Sequence, residues 1–392
     1  MFGVRKEGLS DEQRLIVSTI VELSRKFGED YWQRLDSEKK YPSEFVAEMG
    51  RLGMAGLTIP KEFGGAGYGV KEASLVLEEI NSGGGNAQPF HGQYYLSFMV
   101  SKFASQHSKE KYLPGLASGK LKMQTFALTE PEAGSESTKI KTSAEKRGDG
   151  YVIKGHKVFI SRLEHTDLVV LAARTTPYRS AQKKTDGISL FLVELKGVKG
   201  FEMHRIETMF NSQTYEVFID GLEIPRENLI GEEGRGFGYI LDVLNPERIL
   251  LASECIGDAR WFVQKSVEYA KSRVVFDKAI GSNQGVQFPI ADVYAKLLAA
   301  EKVRWAAAEM YDAGADERSV GELANTSKYL ASECSWQAAN VAMDVYGGAG
   351  MAVSNHVERK FRETRLYRVA PVSQNLVLAY IAHSVLGLPR SY

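Results

Sequence analysis

The feature that most constrains this chain is a change of hydrophobic period that occurs twice. From Leu9 to about Leu121, apolar residues recur at helical spacing. From Met123 they fall into short β-rich blocks separated by Gly, Asp, Pro and Lys clusters. After Gly231-Glu-Glu-Gly-Arg-Gly236 the helical spacing returns and persists. Few architectures accept a strand-rich block between two helical ones. The pattern predicts an α+β multidomain protein: an N-terminal α-helical domain (1–122), a central small β-barrel or sandwich (123–232) and a C-terminal helical bundle (233–392). A length of 392 residues also favours several packed subdomains over one core.

Local signals fill in the blocks. Ser10-Asp-Glu-Gln13 has the form of a capping box, with Leu15, Ile16, Ile20, Val21 and Leu23 at helical spacing behind it. Ser43 opens a second helix, and Ile59-Pro60 with Phe63–Gly67 interrupts the pattern. Glu72–Ile80, Leu96–Ala104 and Lys109–Leu121 read as further helices. Strands are expected at Val152-Ile153, Val158–Ile160, Leu168–Ala172, Ile188–Val193 and Val217–Ile219. The long helical segments are Ile249–Arg273, Phe288–Tyr311 and Val320–Tyr346.

Composition removes several classes of function. Net charge is zero with no long block of Lys or Arg, which argues against nucleic acid as partner. Cys255 and Cys334 stand far apart, so neither a disulfide framework nor a metal site is expected. No apolar run is long enough for a membrane span. The N-terminus lacks an apolar signal core, and Arg5–Ser10 carries both charge signs, unlike a transit peptide. The expected compartment is the cytoplasm of a bacterium, with a mitochondrial matrix the alternative. There is no G-x-G-x-x-G after a strand, no P-loop and no H-E-x-x-H; Ser135 is not in a G-x-S-x-G elbow.

The stretch Met123–Ser161 holds the densest set of functional signals. Phe126-Ala-Leu-Thr129 is strand-like and stops at Glu130-Pro131. Ala133-Gly134-Ser135 opens a loop, and a second strand, Tyr151–Ser161, follows the Gly148-Asp149-Gly150 turn. Strand ends flanked by hydroxyl-bearing residues can meet a planar ligand, although periodicity alone favours a plain surface hairpin with an ordinary loop.

Thr129-Glu-Pro-Glu-Ala-Gly-Ser135 together with Lys157-Val-Phe-Ile-Ser161 resembles the flavin-binding segment of the acyl-CoA dehydrogenase family, and the likeness runs from about Leu9 to Tyr392. It implies a four-helix C-terminal bundle and FAD as cofactor. By motif match, Phe126, Leu128 and Thr129 would lie along the isoalloxazine. Ser135 would contact flavin phosphate or acyl-CoA. Phe159 would stack on the ring where the family often has Trp, and Ser161 would bond near N5 where it often has Thr. The usual Asn-Gly that follows is here Arg162-Leu163.

Two further segments carry the likeness. Arg273-Val-Val-Phe276-Asp-Lys with Gln284 and Phe288 resembles the part that meets the flavin of a neighbouring subunit, with Asp277 in place of Gly. Arg273 also reads as an ordinary helix C-terminal cation. Tyr346-Gly347-Gly348-Ala-Gly350 resembles the turn beside the pyrophosphate, with Asp344 where a Gln is usual. Sharing of one flavin between subunits implies a homodimer at least, commonly a dimer of dimers, that is, a homotetramer.

The resemblance implies that a carboxylate removes the α-proton of an acyl-CoA while the flavin accepts the β-hydride and passes electrons to electron-transfer flavoprotein. Many members place the carboxylate in a C-terminal stretch matched here by Arg368–Asn375, where Pro371 falls at the Glu position. Ser373 and Asn375 in this stretch are expected at the cofactor. Members of the isovaleryl- and long-chain type carry the Glu on an earlier helix before an Arg, and Asn245-Pro-Glu247-Arg248 matches that pair. Glu247 is therefore the expected base and Arg248 faces CoA, with Phe237 and Leu241 lining the acyl–CoA channel. The same residues also read as a plain helix start, with Asn245 capping and Pro246 first. Proline lacks an N–H, so the donor to the thioester carbonyl at Pro371 stays open. A flavin-dependent monooxygenase or oxidase on the same fold is the alternative function. Acyl chain length, branching and the acyl carrier are not legible.

Overall fold

The computed structural model describes residues 8–390; residues 5–7 of the charged N-terminal stretch and the last two residues of Pro389–Tyr392 lie outside the described residues. In chain order come α1 (Asp11–Lys26), α2 (Glu29–Glu38), α3 (Ser43–Arg51), α4 (Val70–Ser82), α5 (Gln88–Phe103) and α6 (Gln106–Ala117). Then follow β1 (Thr125–Ala127), β2 (Ser143–Arg147), β3 (Gly150–Ser161), β4 (Leu168–Arg174), β5 (Ile188–Glu194), β6 (Phe201–Ile206), β7 (Thr214–Pro225) and β8 (Leu229–Ile230). The rest is α7 (Gly236–Ser272), the hairpin β9 (Val274–Val275) and β10 (Lys278–Ala279), α8 (Gln284–Asp312), α9 (Glu317–Tyr346), α10 (Val357–Thr364) and α11 (Gln374–Tyr380). The helical, β-sheet and helical succession is the one the change of period predicts.

The start of α1 follows its sequence signal. Ser10 Oγ accepts from Gln13 N at 3.2 Å and Gln13 Oε1 accepts from Ser10 N at 3.0 Å, closing the capping box. At α3 the cap differs from expectation: Ser43 is the first helical residue, and Pro42 before it makes no side-chain cap.

The chain divides into two compact units. One holds Lys39–Tyr68 and Gln88–Leu244. Its sheet has eight strands in the order β6-β7-β3-β2-β4-β5-β8, with β1 added in parallel beside β4. Strand alternation builds two cores. Leu168, Val170 and Ala172 of β4 join Leu96, Met99 and Leu113 of α5 and α6, while Val169, Leu171 and Ala173 join Ile153, Tyr215 and Val217 of β3 and β7. The second core draws side chains from both halves of one sheet, so the sheet folds over its own interior as in a sandwich.

The other unit holds Met1–Glu38, Gly69–Ala87 and Asn245–Tyr392. Its main apolar cluster lies among α7, α8 and α9, including Ile256, Phe262, Val293, Leu297 and Ala338. Charged groups are buried beside it. Glu78 of α4 pairs with Arg304 and Arg260, and Arg260 meets Glu301 at 2.9 Å. Lys360 of α10 meets Asp258 of α7 at 2.5 Å. Helix α7 is 37 residues long and passes straight through Pro246. The reading of Asn245-Pro246 as a helix start is thereby corrected: the apolar residues from Phe237 onward already form two helical turns before the proline. Among the described residues, no helix is long and apolar enough to cross a membrane, and no cluster of three or more His, Cys, Asp or Glu could hold a metal ion.

Candidate active site

Within the sheet unit, the two halves of the Met123–Ser161 motif are locked together by a buried ion pair. The Lys157 ammonium, fully enclosed, donates to the Glu130 carboxylate and to the Leu128 carbonyl, each at 2.9 Å. Glu130 also accepts from Thr142 N at 2.9 Å, Thr142 Oγ1 at 2.6 Å and Lys141 N at 2.6 Å. Val158 N donates to Thr129 O at 3.0 Å, and Thr125 Oγ1 donates to Ser161 O at 2.8 Å. Burial alone would raise the Glu130 carboxyl, but Lys157 and the hydrogen bonds outweigh it and hold the group below its usual range. Burial brings Lys157 down to about 8, with Glu130 pulling the other way. Both residues stand inside the quoted motif, yet periodicity gives no sign that they pair.

This lock fixes the strand ends. Phe126, Leu128 and Thr129 are half-buried at and just past the end of β1, and Ser161 is half-buried at the end of β3. Phe126, Leu128 and Phe237 pack on one core cluster. Between Lys157 and Ile160 the β3–β7 register shifts, and Phe159 at that bulge has φ 58° with 64% of its surface exposed. A bulge re-aims a side chain, and a left-handed phenylalanine is strained. Arg162 is also left-handed, with φ 64°. That explains the departure from Asn: the arginine keeps the conformation and secures it by donating its N–H to Gln213 O at 2.6 Å and Nη2 to Gln124 O at 3.1 Å. Leu163 is buried in the sheet core. Ser135 is exposed on the loop after Glu130, and Leu241 is 41% exposed on α7.

The remaining expected residues lie in the helical unit. Arg273 follows α7 directly and is exposed; Phe276, 95% exposed, and Asp277 form the tip of the β9–β10 hairpin with φ 51° and 62°. The Asp277 departure thus falls at a backbone conformation that glycine and aspartate tolerate better than most residues. Gln284 opens α8 and is exposed. Tyr269, one turn before Arg273, stacks on Tyr346 with ring centroids 4.1 Å apart, so the end of α7 and the Gly347–Gly348 turn after α9 are neighbours. Gly347 has φ 56°, and a Cβ added at Gly348 would meet nothing within 4 Å. No protein atom calls for glycine at 348, whereas a ligand lying on the backbone would. Asp344 is exposed. Ser373 caps α11, accepting from Leu376 N at 3.4 Å, and Asn375 is exposed.

Glu247 is 2% exposed in the body of α7. Beside it, half-buried Arg248 donates Nη1 to Asn245 Oδ1 at 3.3 Å. Burial lowers the Arg248 pKa, opposed by Glu247 and by Tyr380 of α11. Pro371 follows a cis peptide bond and is exposed. In the sheet unit, the strand-end set offers an aromatic face, apolar contacts and two hydroxyls, a chemistry that suits a planar ring with a polar edge. In the helical unit, the Gly347–Gly348 turn offers open backbone, which suits a phosphate.

Family models described as the N-terminal, middle and C-terminal domains of acyl-CoA dehydrogenase match residues 10–120, 125–222 and 234–386. The chain is 34% identical over 391 residues to acyl-CoA dehydrogenase FadE12 of Mycobacterium tuberculosis, covering 98% of each. The structure of butyryl-CoA dehydrogenase from Megasphaera elsdenii is similar with a TM-score of 0.90 at 26% identity, over 97% of this chain and 99% of that one. An FAD complex of PigA is similar with a TM-score of 0.89 at 26% identity, over 97% and 99%. The chain belongs to the acyl-CoA dehydrogenase family of FAD-dependent oxidoreductases.

Proposed function

We propose that the protein dehydrogenates an acyl-CoA thioester between Cα and Cβ to the trans-2-enoyl-CoA, with Glu247 as the α-proton base. The observation that carries this reading is the burial of Glu247 within α7, 2% exposed, in a chain whose other base position is Pro371. A helix-start residue would be solvated; this carboxylate is not. The deprotonated carboxylate takes the α-proton at an oxygen atom, and enclosure keeps water from competing for that role. Bound FAD supplies the hydride acceptor for the Cβ hydrogen.

The other residues bind and orient. Phe159 presents the face and Phe126 and Leu128 the apolar edge for the ring, while Thr129 and Ser161 supply hydroxyls. Arg273, Phe276 and Gln284 serve a neighbouring copy's cofactor; Gly347, Gly348, Ser373 and Asn375 approach the cofactor through short groups. Ser135, Phe237, Leu241 and Arg248 line the path of the acyl-CoA. Electrons leave to an electron-transfer flavoprotein, as family likeness supports.

The test is anaerobic reduction of the holoprotein by a panel of acyl-CoA thioesters, wild type against Glu247→Gln. Bleaching of the flavin band in wild type, with a loss of at least about a thousandfold in the variant and flavin retained in both, is the expected result. Equal bleaching rates would remove Glu247 as base. If no thioester bleaches the wild type while the reduced flavin reacts rapidly with oxygen, the oxidase or monooxygenase reading takes its place.

A further inference from the structure

Arg174 is the last residue of β4 and is 4% exposed. A guanidinium has five N–H donors, and here each of them meets a main-chain carbonyl. Nε donates to Ile140 O at 3.0 Å. Nη1 donates to Thr176 O at 3.3 Å and Asp186 O at 3.0 Å. Nη2 donates to Lys184 O at 3.1 Å and to Thr138 O. The Tyr178 ring covers the group, its centroid 5.1 Å from Cζ.

Strand alternation puts the arginine there. Leu168, Val170 and Ala172 of β4 face the core that also holds Ala133, Ile140 and Ile188, and Arg174 is next in that series at the strand end. Two loops meet at this rim. The first follows Glu130. Its base is closed by Glu130, which accepts from Lys141 N and Thr142 N, and by buried Ala133 and Ile140. Between these anchors Gly134, Ser135 and Glu136 are exposed, and Arg174 holds the Thr138 carbonyl. The acids of this loop are paired, Glu136 with Lys139 at 2.8 Å and Glu132 with Lys141. The second loop joins β4 to β5 over residues 175–187. Thr175 N and Thr176 N close its base on Gly187 O at 2.9 and 3.2 Å. Its tip carries exposed Arg179, Lys183 and Lys184. One buried side chain bonded to both loops makes the shape of each depend on the other.

We propose that Arg174 is a positioning residue for the acyl-CoA: by tying the Ser135 loop to the Arg179–Lys184 loop, it presents one ordered, cationic rim to the phosphate-bearing end of the thioester. This rests on the reading of Ser135 as lining the path of the acyl-CoA. Arg174 touches no ligand itself, since its donors are all spent on the loops. Polar, exposed tips suit a hydrated, charged group better than an acyl chain, and phosphate oxygens match arginine and lysine. Ordering both loops beforehand reduces the entropy lost when the phosphates are taken up. Such a contribution enters ground state and transition state alike. It therefore sets the concentration at which acyl-CoA saturates and leaves the rate at saturation alone.

The FAD-loaded protein is compared as wild type, Arg174→Met and Arg174→Lys. Hydrogen exchange read by mass spectrometry follows peptides covering 131–141 and 175–187, alone, with free coenzyme A, and with pantetheine, which lacks the phosphates. In wild type, coenzyme A should slow exchange in both peptides and pantetheine in neither. In Arg174→Met both peptides should exchange faster, and coenzyme A should no longer slow them. Half-saturation of anaerobic flavin reduction should then need about tenfold more acyl-CoA, with the rate at saturation retained. Arg174→Lys, which has three donors in place of five, should fall between the two, and it serves alone if the methionine variant is not recovered folded. Coenzyme A that slows neither loop of wild type overturns the proposal. So does an unmoved half-saturation in a variant whose loops have loosened. Loosening that spreads through β3 and β7 marks a general structural role and overturns it too. Loss of FAD with half-saturation unchanged would assign the loops to the flavin phosphates instead. The underlying readings fail by other results. If Ser135→Ala leaves half-saturation unchanged while Arg174→Met raises it, the Ser135 contact falls and the tie stands. If no thioester bleaches wild type, dehydrogenation falls, and protection by coenzyme A still decides the rim.

Discussion

Phe159 holds φ at 58° while exposing 64% of its surface, and neither is favourable in isolation. A left-handed non-glycine residue costs about 1 kcal/mol or more. The strand keeps it because the Glu130–Lys157 lock and the bulge leave the backbone no easier path. Glycine bears no such cost, whereas alanine bears it in full and replaces the ring no better. Phe159→Gly should therefore melt above Phe159→Ala by about 1 kcal/mol of stability in the flavin-free protein. Both variants should bind FAD more weakly than wild type by fluorescence titration. Equal stability of the two would mean the left-handed backbone is not retained in solution. The sequence shows the aromatic at 159 and the hydroxyl at 161, but not the φ that turns the ring outward. Arg162 and Asp277 read as departures from a pattern in the sequence. In three dimensions each is a left-handed position filled by something other than glycine.

At the scale of elements, α4, α7 and α8 meet around buried charge. Glu79 of α4 is pushed up to about 8, first by burial and then by Glu78, with Arg260 pulling it down. An unfolded glutamate titrates near about 4.3. A folded value above the unfolded one means the native state prefers the protonated acid. That preference contributes stability below the unfolded value and is lost as pH rises through about 8. The melting temperature of wild type should fall between about pH 4.3 and about pH 8, and Glu79→Gln should flatten the fall, which amounts to up to about 1.4 kcal/mol for each pH unit in that window. A variant that falls as steeply as wild type would exclude Glu79 as the cause. Nothing in the periodicity marks this network, because Glu78 and Glu79 occupy helix positions that read as surface. The long helices and the apolar strands β4 and β5 were legible because each buries a continuous apolar face. Strands β2 (SAEKR) and β6 (FEMHRI) were not, since most of their residues are exposed. Pairing with β3 and β7 makes them strands, and that is a tertiary cause. Likewise Pro246 reads as a helix start, while the packing of Ile240 and Val243 carries α7 into it from before.

For the whole molecule, the distribution of exposed apolar groups is the informative property. In the helical unit Phe276 is 95% exposed, Val274 57% and Phe288 60%, gathered where α7 ends and α8 begins and next to the exposed Arg273. A hairpin tip of this kind gains nothing from water and has too few neighbours in its own chain to fold inward. A second copy of the chain is the partner the family likeness implies, and on the proposed reading Arg273 and Phe276 reach the cofactor of that copy. Cofactor retention and assembly should then fail together. Phe276→Asp is expected to lower the mass seen by light scattering from at least two chains of 43.5 kDa each toward a single chain, and to release FAD on gel filtration. The far-ultraviolet circular dichroism should stay unchanged, because the side chain contributes almost nothing to its own core. Retained mass with lost FAD would confine Phe276 to the cofactor. Lost mass with retained FAD would place the whole flavin site within one chain and remove the reason for sharing it.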